Sequence, residues 1–246
     1  MKLPFLILMF ISLNQWLFSE EPVAIISKLR GNVKHKIVSD NRYRSKTHLN
    51  TPIFSNSQIR TKDRAFSKVA YLDDGTVISI YPNTEVRIQG IVNNNMLLKQ
   101  VDLINGIIRV NVMNQISGEF KLATPYSELR CNACNFWVTS EEFNGDQFIK
   151  VSGDAQVWNS SMDIKTELIS DSTLISKEKM EFETFETPIE NVKFLESLML
   201  DADETSLQYK EDISVENTSA TTTNIVVIKL KNAANVEREI IVTYTH

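Results

Sequence analysis

The sequence predicts a mainly β protein, rich in hairpins, with one C-terminal amphipathic helix and a terminal β-hairpin. Three observations carry that prediction. From Ile59 to Trp158, runs of five to eight residues alternate with glycines at 75, 90, 106, 118, 145 and 153, the rhythm of an all-β domain. Asp74-Gly75 and Asn105-Gly106 each lie between alternating apolar runs, where such dipeptides favour two-residue turns with positive φ. After Thr187 the apolar period changes from two to three and four, which is helical spacing.

Val23 to Val38 reads as two strands broken at Gly31. Asp40 to His48 is a polar, basic loop carrying Arg42, Arg44 and Lys46, either an anion contact or a solvated tip. A turn at Asp74-Gly75 pairs Leu72 with Val77 and Tyr71 with Ile78, placing Val69, Tyr71, Ile78 and Ile80 on one face. A turn at Asn105-Gly106 sets Leu103 against Ile108 and Val101 against Val110 in a core, with Asp102 opposite Arg109 outside. Opposite charges across strands add roughly 0.2–1 kcal/mol. A one-residue slip would expose the aliphatics, so the inward faces are well specified.

Ile164 to Glu186 adds two strands, Glu167–Ile169 and Met180–Phe185. Thr187-Pro188-Ile189-Glu190 has the form of a capping box with proline at the first helical position. Val192, Leu195, Leu198 and Met199 then share one face, to pack on the β domain or to bind a partner. The expected division is therefore an all-β domain over 23–186, a helix over 187–203, an acidic and polar linker over 204–223 and a hairpin over 224–246. Two strands alone are marginal in water, so that hairpin must dock on the main sheet, join another chain, or belong to a small sandwich.

The first nineteen residues have the form of a secretory signal. Lys2 precedes an apolar run from Leu3 to Leu13, and Ser19 supplies a small residue before Glu20-Glu21. The apolar stretch is shorter than the ~20 residues a span needs, so no transmembrane segment is expected after cleavage. Removing residues 1–19 takes one lysine from the 26 basic residues and none of the 31 acids, leaving −6. That sign argues against nucleic acid as a partner. Export also frames Cys131 and Cys134. They could form a disulfide across a tight loop, remain two free thiols, or serve redox or metal chemistry. The flanks are strand-like, and the three histidines, His35, His48 and His246, lie at no ligand spacing.

No catalytic constellation is expected, and no cofactor. Asp73-Asp74 is explained by turn chemistry, and His35 and His48 lie near no nucleophile elbow. Phe136 and Trp137 must point to opposite faces, which makes Trp137 the candidate surface contact, although a rim residue covered by the C-terminal helix explains it as well.

Several of these segments carry a resemblance. Gly31-Asn32-Val33, Ile59-Arg60-Thr61, Asp74-Gly75-Thr76, Pro82-Asn83-Thr84, Leu103 to Val110, and Phe120 to Pro125 follow in order. Together they resemble the FecR domain of bacterial envelope proteins across roughly residues 26 to 158. One departure is Cys134-Asn135-Phe136-Trp137-Val138, where the family has Gly-Thr before the Phe and Val. The resemblance implies a twisted β-solenoid-like module and a periplasmic or secreted location. It also implies a non-enzymatic role in protein binding, signalling or scaffolding, with an unnamed envelope protein as partner. The cytoplasmic region and membrane span of the sigma-regulating members have no counterpart here, so their full relay does not transfer. A carbohydrate- or peptidoglycan-binding module of the cell envelope is the alternative. It would set Trp137 and Trp158 on one flat surface for a cell-wall polysaccharide.

Overall fold

The structure, a computed structural model, describes residues 21–44, 47–93, 96–115, 118–211, 223–231 and 237–245. The expected signal segment, Lys46 and most of the expected linker lie outside the described residues. The chain divides into two units, Met1–Ala202 and Asp203–His246.

The first unit is a large mixed sheet. Its strands are β1 (Ala24–Arg30), β2 (Val33–Lys36), β3 (Pro52–Ile53), β4 (Ser57–Thr61), β5 (Phe66–Tyr71), β6 (Val77–Ile80) and β7 (Glu85–Asn93). There follow β8 (Met96–Val112), β9 (Phe120–Ala123), β10 (Glu128–Glu141), β11 (Gly145–Asn159), β12 (Ile164–Glu167), β13 (Ser172–Ser176) and β14 (Glu183–Glu186). The path runs β14-β13-β11-β10-β9-β8-β6-β5-β1-β3, with β12 on β11 and the branch β2-β4-β7 joining at β8. Only β8 and β9 pair in parallel among the described strands. β1 and β2 do not pair with each other: β1 takes β5 and β3, while β2 takes β4.

The inward faces follow the expected alternation. Val69, Tyr71, Ile78, Ile80, Val101, Leu103, Ile108 and Val110 all enter one core with Phe120, Phe136 and Phe148. The turns that deliver them differ from the expected ones. At Asp74-Gly75 the pairing is shifted by two residues, so that Val69 meets Ile78 and Ala70 meets Val77. A loop over 72–75 closes where the Tyr71 amide donates to Thr76 O at 2.9 Å. A shift of two keeps every side chain on its face, so the core is unaltered.

Asn105-Gly106 is not a turn. β8 passes straight through it, pairing with β7 up to Asn105 and with β10 and β6 beyond. Ile108 lies between Ile80 and Val138, and Leu103 faces Val86 rather than Ile108. The register breaks between Glu85 and Val86, leaving Ile104 as an extra residue. Gly106 has φ +101°, a β-bulge that flips which parity faces the core. A turn and a bulge both bury Val101, Leu103, Ile108 and Val110, which is why the pattern could not separate them. Asp102 consequently pairs with Arg87 at 3.3 Å, not with Arg109. The expected turns at Gly90 and Gly153 also fall inside strands, β7 and β11. At Gly153 (φ +79°) an added Cβ would lie 2.1 Å from Ala133 O, so the backbones meet where no side chain fits.

Between Ile164 and Glu186 three strands form, not two. Helix α1 follows over Ile189–Glu211. Thr187 does not close a capping box; its hydroxyl meets Thr173 Oγ1 at 3.1 Å, and Pro188 O takes the amides of Asn191 and Val192. The helix continues through the acidic run that was expected to begin a linker. In the second unit, β15 (Thr223–Lys231) pairs antiparallel with β16 (Glu237–Thr245), Val226 opposite Val242. No described helix is long and apolar enough to cross a membrane.

Candidate functional site

The widely separated motif residues gather into one backbone knot. Thr61, at the end of β4, is buried, and its hydroxyl donates to Tyr81 O at 2.5 Å while accepting the Thr84 amide at 3.0 Å. The Thr84 hydroxyl in turn takes the Ile107 amide at 2.9 Å. Gly106 packs on this same threonine, since a Cβ there would fall 2.3 Å from Thr84 Oγ1. Two threonine hydroxyls thus satisfy amides at a tight crossing where strand ladders cannot reach. A second buried knot joins the Thr124-Pro125 turn to the β10–β11 hairpin. Asp146 accepts from Thr124 Oγ1 (2.6 Å), Ser140 Oγ (2.7 Å) and the Tyr126 amide (3.0 Å). Burial pushes its carboxyl above the usual range, and these bonds offset that only in part.

Asp73 and Asp74 are held by a cation the motif reading missed. Lys99, almost wholly buried, lies 2.6 Å from Asp73 Oδ2 and 2.8 Å from Asp74 Oδ2. Asp74 also takes the Thr76 amide at 2.8 Å and the Gln115 amide group at 2.5 Å. Burial pushes Asp74 up, but the bonds from Lys99, Thr76 and Gln115 outweigh it and hold the carboxyl below its usual range. Glu85 is similarly occupied, by Arg60 at 2.6 Å and the Tyr43 hydroxyl at 2.5 Å. His35 is buried beside Thr47 Oγ1 at 3.1 Å. Burial, with Arg44 nearby, lowers its pKa. Arg44 itself pairs with Asp40 at 2.9 Å.

Cys131 and Cys134 are bonded to each other, at the register break between β10 and β11 beside Gly153. Trp137 is not a surface contact, for it is 4% exposed. It forms a second, smaller core on the opposite side of β10 from Phe136. There it meets Tyr81 at 4.9 Å, Tyr81 meets Phe66 at 5.4 Å, and Leu195 of α1 closes the cluster with Leu198 and Met199. The apolar helix face therefore packs on the sheet. Arg30 pins it by donating to Asp201 Oδ2 at 2.6 Å, and that bond lowers the Asp201 pKa.

Along the β13 side of α1 the packing is incomplete. A groove of about 490 Å³ opens there, floored by Trp137, Ile149, Val192, Leu195 and Met199. Asp171, Glu186 and Glu196 ring it, with Arg109 and Lys150 as its cations. Arg109 is held by Asn135 Oδ1 at 3.0 Å and lies 5.7 Å from the Trp137 ring. Trp158, exposed, lines a separate polar surface with Arg130 and Lys165. None of the groove's acids stood out in sequence, because each is a single charge in a different element. Trp137 and the helix residues Val192, Leu195 and Met199 were singled out, and they supply most of the floor.

No family model matches the chain, and no curated protein sequence matches it. Among solved structures, two crystal structures of a putative anti-sigma factor from Parabacteroides distasonis ATCC 8503 (2.50 and 1.65 Å resolution) align with it. Each has a TM-score of 0.47 and 18% identity, over 55% of this chain and 62% of the other. The chain thus spans less than two thirds of the length of either.

Proposed function

We propose that this chain is an exported, FecR-like envelope protein that acts by binding another protein, as a signalling or scaffold module, and not as an enzyme. The observation that carries the reading is the convergence of the motif residues. Thr61, the Pro82-Asn83-Thr84 turn and Gly106 come from separate segments yet complete one knot. A chance scatter of short motifs has no reason to do so. Asp73, Asp74 and Glu85 are each spent on a cation, which supports a structural use for them. Export is supported by the leader-like first nineteen residues and by the Cys131–Cys134 bond, of a kind that persists in oxidising compartments.

The polysaccharide alternative needs a flat aromatic surface, and burial of Trp137 leaves Trp158 without its companion. The test is photocrosslinking of the full chain in intact envelopes, with fractionation of the product. The reading predicts a discrete protein adduct in the exported fraction. A cytosolic product, or adducts to glycan alone, would overturn it.

A further inference from the structure

β14 closes the sheet at one end, and no described strand pairs on its outer side. All four of its residues, Glu183 to Glu186, are exposed. Its register sets Phe185 against Thr173 and Glu183 against Ile175, and the Thr187 amide donates to Asp171 O at 2.9 Å. In an antiparallel pair the backbone bonds face the partner at every second residue. Residues 183, 185 and 187 therefore face β13. The N–H and C=O groups of Thr184 and Glu186 point outward, a template for another strand.

Two features say what such a strand would be. Side chains on both faces of β14 are acidic, and Glu186 also lines the groove beside α1 with Asp171 and Glu196. None of these three carboxylates forms an ion pair with a described residue. A second copy of β14 fits poorly, since Glu183 and Glu186 of two chains would stand on adjacent strands and like charges there are destabilising. The residue placed opposite Glu186 would direct its side chain toward the groove, whose floor is apolar and whose rim has three acids against two cations. Those dimensions suit a long side chain with an aliphatic stem and a cationic end.

We propose that β14 receives a basic, extended segment of the partner protein as an added antiparallel strand, with one of its lysine or arginine side chains in the groove beside α1. This rests on the protein-binding reading above and names the surface and the chemistry of the partner.

The probe is an acetylated, amidated Lys-Val-Lys-Val-Lys-Val peptide added to the full chain. Hydrogen exchange should slow at least tenfold at the Thr184 and Glu186 amides on saturation. Glu183→Lys with Glu186→Lys should weaken binding tenfold or more. Thr184→Pro, which removes one outward N–H without touching a bond to β13, should do the same. A peptide N-methylated at alternate residues should not bind. Equal binding by that peptide, or indifference to the substitutions, would overturn the proposal. In intact envelopes, a photocrosslinker at 184 is compared with one at 104. A protein captured at 184 through a basic segment supports the proposal. Capture at 104 alone, or a crosslink from 184 into the chain's own residues 223–245, overturns it while leaving protein binding intact. Protein capture at neither position overturns both.

Discussion

Replacing Thr61 with valine tests whether the motif threonines are struts or bystanders. Valine keeps the shape and exchanges one hydroxyl for a methyl. In the native chain that hydroxyl accepts the Thr84 amide at 3.0 Å and donates to Tyr81 O at 2.5 Å, both in a site closed to water. Valine offers neither a donor nor an acceptor in its place, and a buried backbone group that loses a hydrogen bond costs about 1–3 kcal/mol. Two of them give at most about 2–6 kcal/mol, and about 2–3 as the turn relaxes. Thr61→Ser is the control, because it keeps the oxygen and gives up one methyl, about 0.8 kcal/mol of burial. Urea unfolding followed by strand circular dichroism reads both. With a slope of about 2–3 kcal/mol per molar for a domain of this size, valine should lower the midpoint by about 1 M and serine by about 0.3 M. If valine costs no more than serine, the hydroxyl is not what holds the crossing together. The structural explanation of the motif then fails.

Three further perturbations probe the charged and covalent parts. Lys99→Met leaves Asp73 and Asp74 without their cation; breaking a buried pair costs about 3–5 kcal/mol, and the partial exposure of Asp73 reduces this to about 2–3 in thermal unfolding. Because the folded pKa of Asp74 lies below its ordinary 3.8, its stabilisation is complete above pH 3.8 and is lost as pH falls through the folded value. That acid-side loss should flatten in Lys99→Met. Asp146 has the opposite sign: its folded pKa lies above 3.8, so folding takes up a proton and stability falls as pH rises from 3.8 through the raised value. Asp146→Asn should remove that slope in unfolding free energies measured from pH 3 to 7, and an unchanged slope would refute the assignment. Replacing both Cys131 and Cys134 by serine opens a very short loop, with a sequence separation of 3. Loop-closure entropy for about four residues predicts a loss of about 2 kcal/mol, and reduction of the native chain should give the same loss.

Inward faces were legible in the sequence because they depend only on parity, and parity survives errors of connection. Val69 and Ile78 face the core whether the Asp74-Gly75 loop has two residues or four. Leu103 and Ile108 face it whether Asn105-Gly106 reverses the chain or merely bulges it. What parity does not encode is the partner of each strand. The Asp102–Arg109 pairing followed from assuming that neighbours in sequence are neighbours in the sheet. Instead β8 runs on for seventeen residues and takes β10, more than twenty residues later, as its partner. Long-range pairing is decided by competition between complete sheets, and no local window contains it.

The same limit explains the site. Trp137 stood out as the aromatic that must turn away from the core, and it does turn away, but onto a second apolar floor beneath α1. The period change at Thr187 announced that helix, and its apolar face at Leu195, Leu198 and Met199 was readable as something needing cover. Its continuation through Asp201 to Glu204 was not, because an acidic run reads equally well as a helix terminator. The groove beside α1 lies where the helix leaves part of the sheet face around Trp137, Ile149 and Glu186 uncovered. Its acidic rim is assembled from a loop residue, Asp171, a strand end, Glu186, and a helix residue, Glu196. Each of these in isolation is an ordinary surface charge. A site built from single charges on different elements becomes visible only when the strand order is known, so the surface proposed to receive a partner is the part its sequence conceals best.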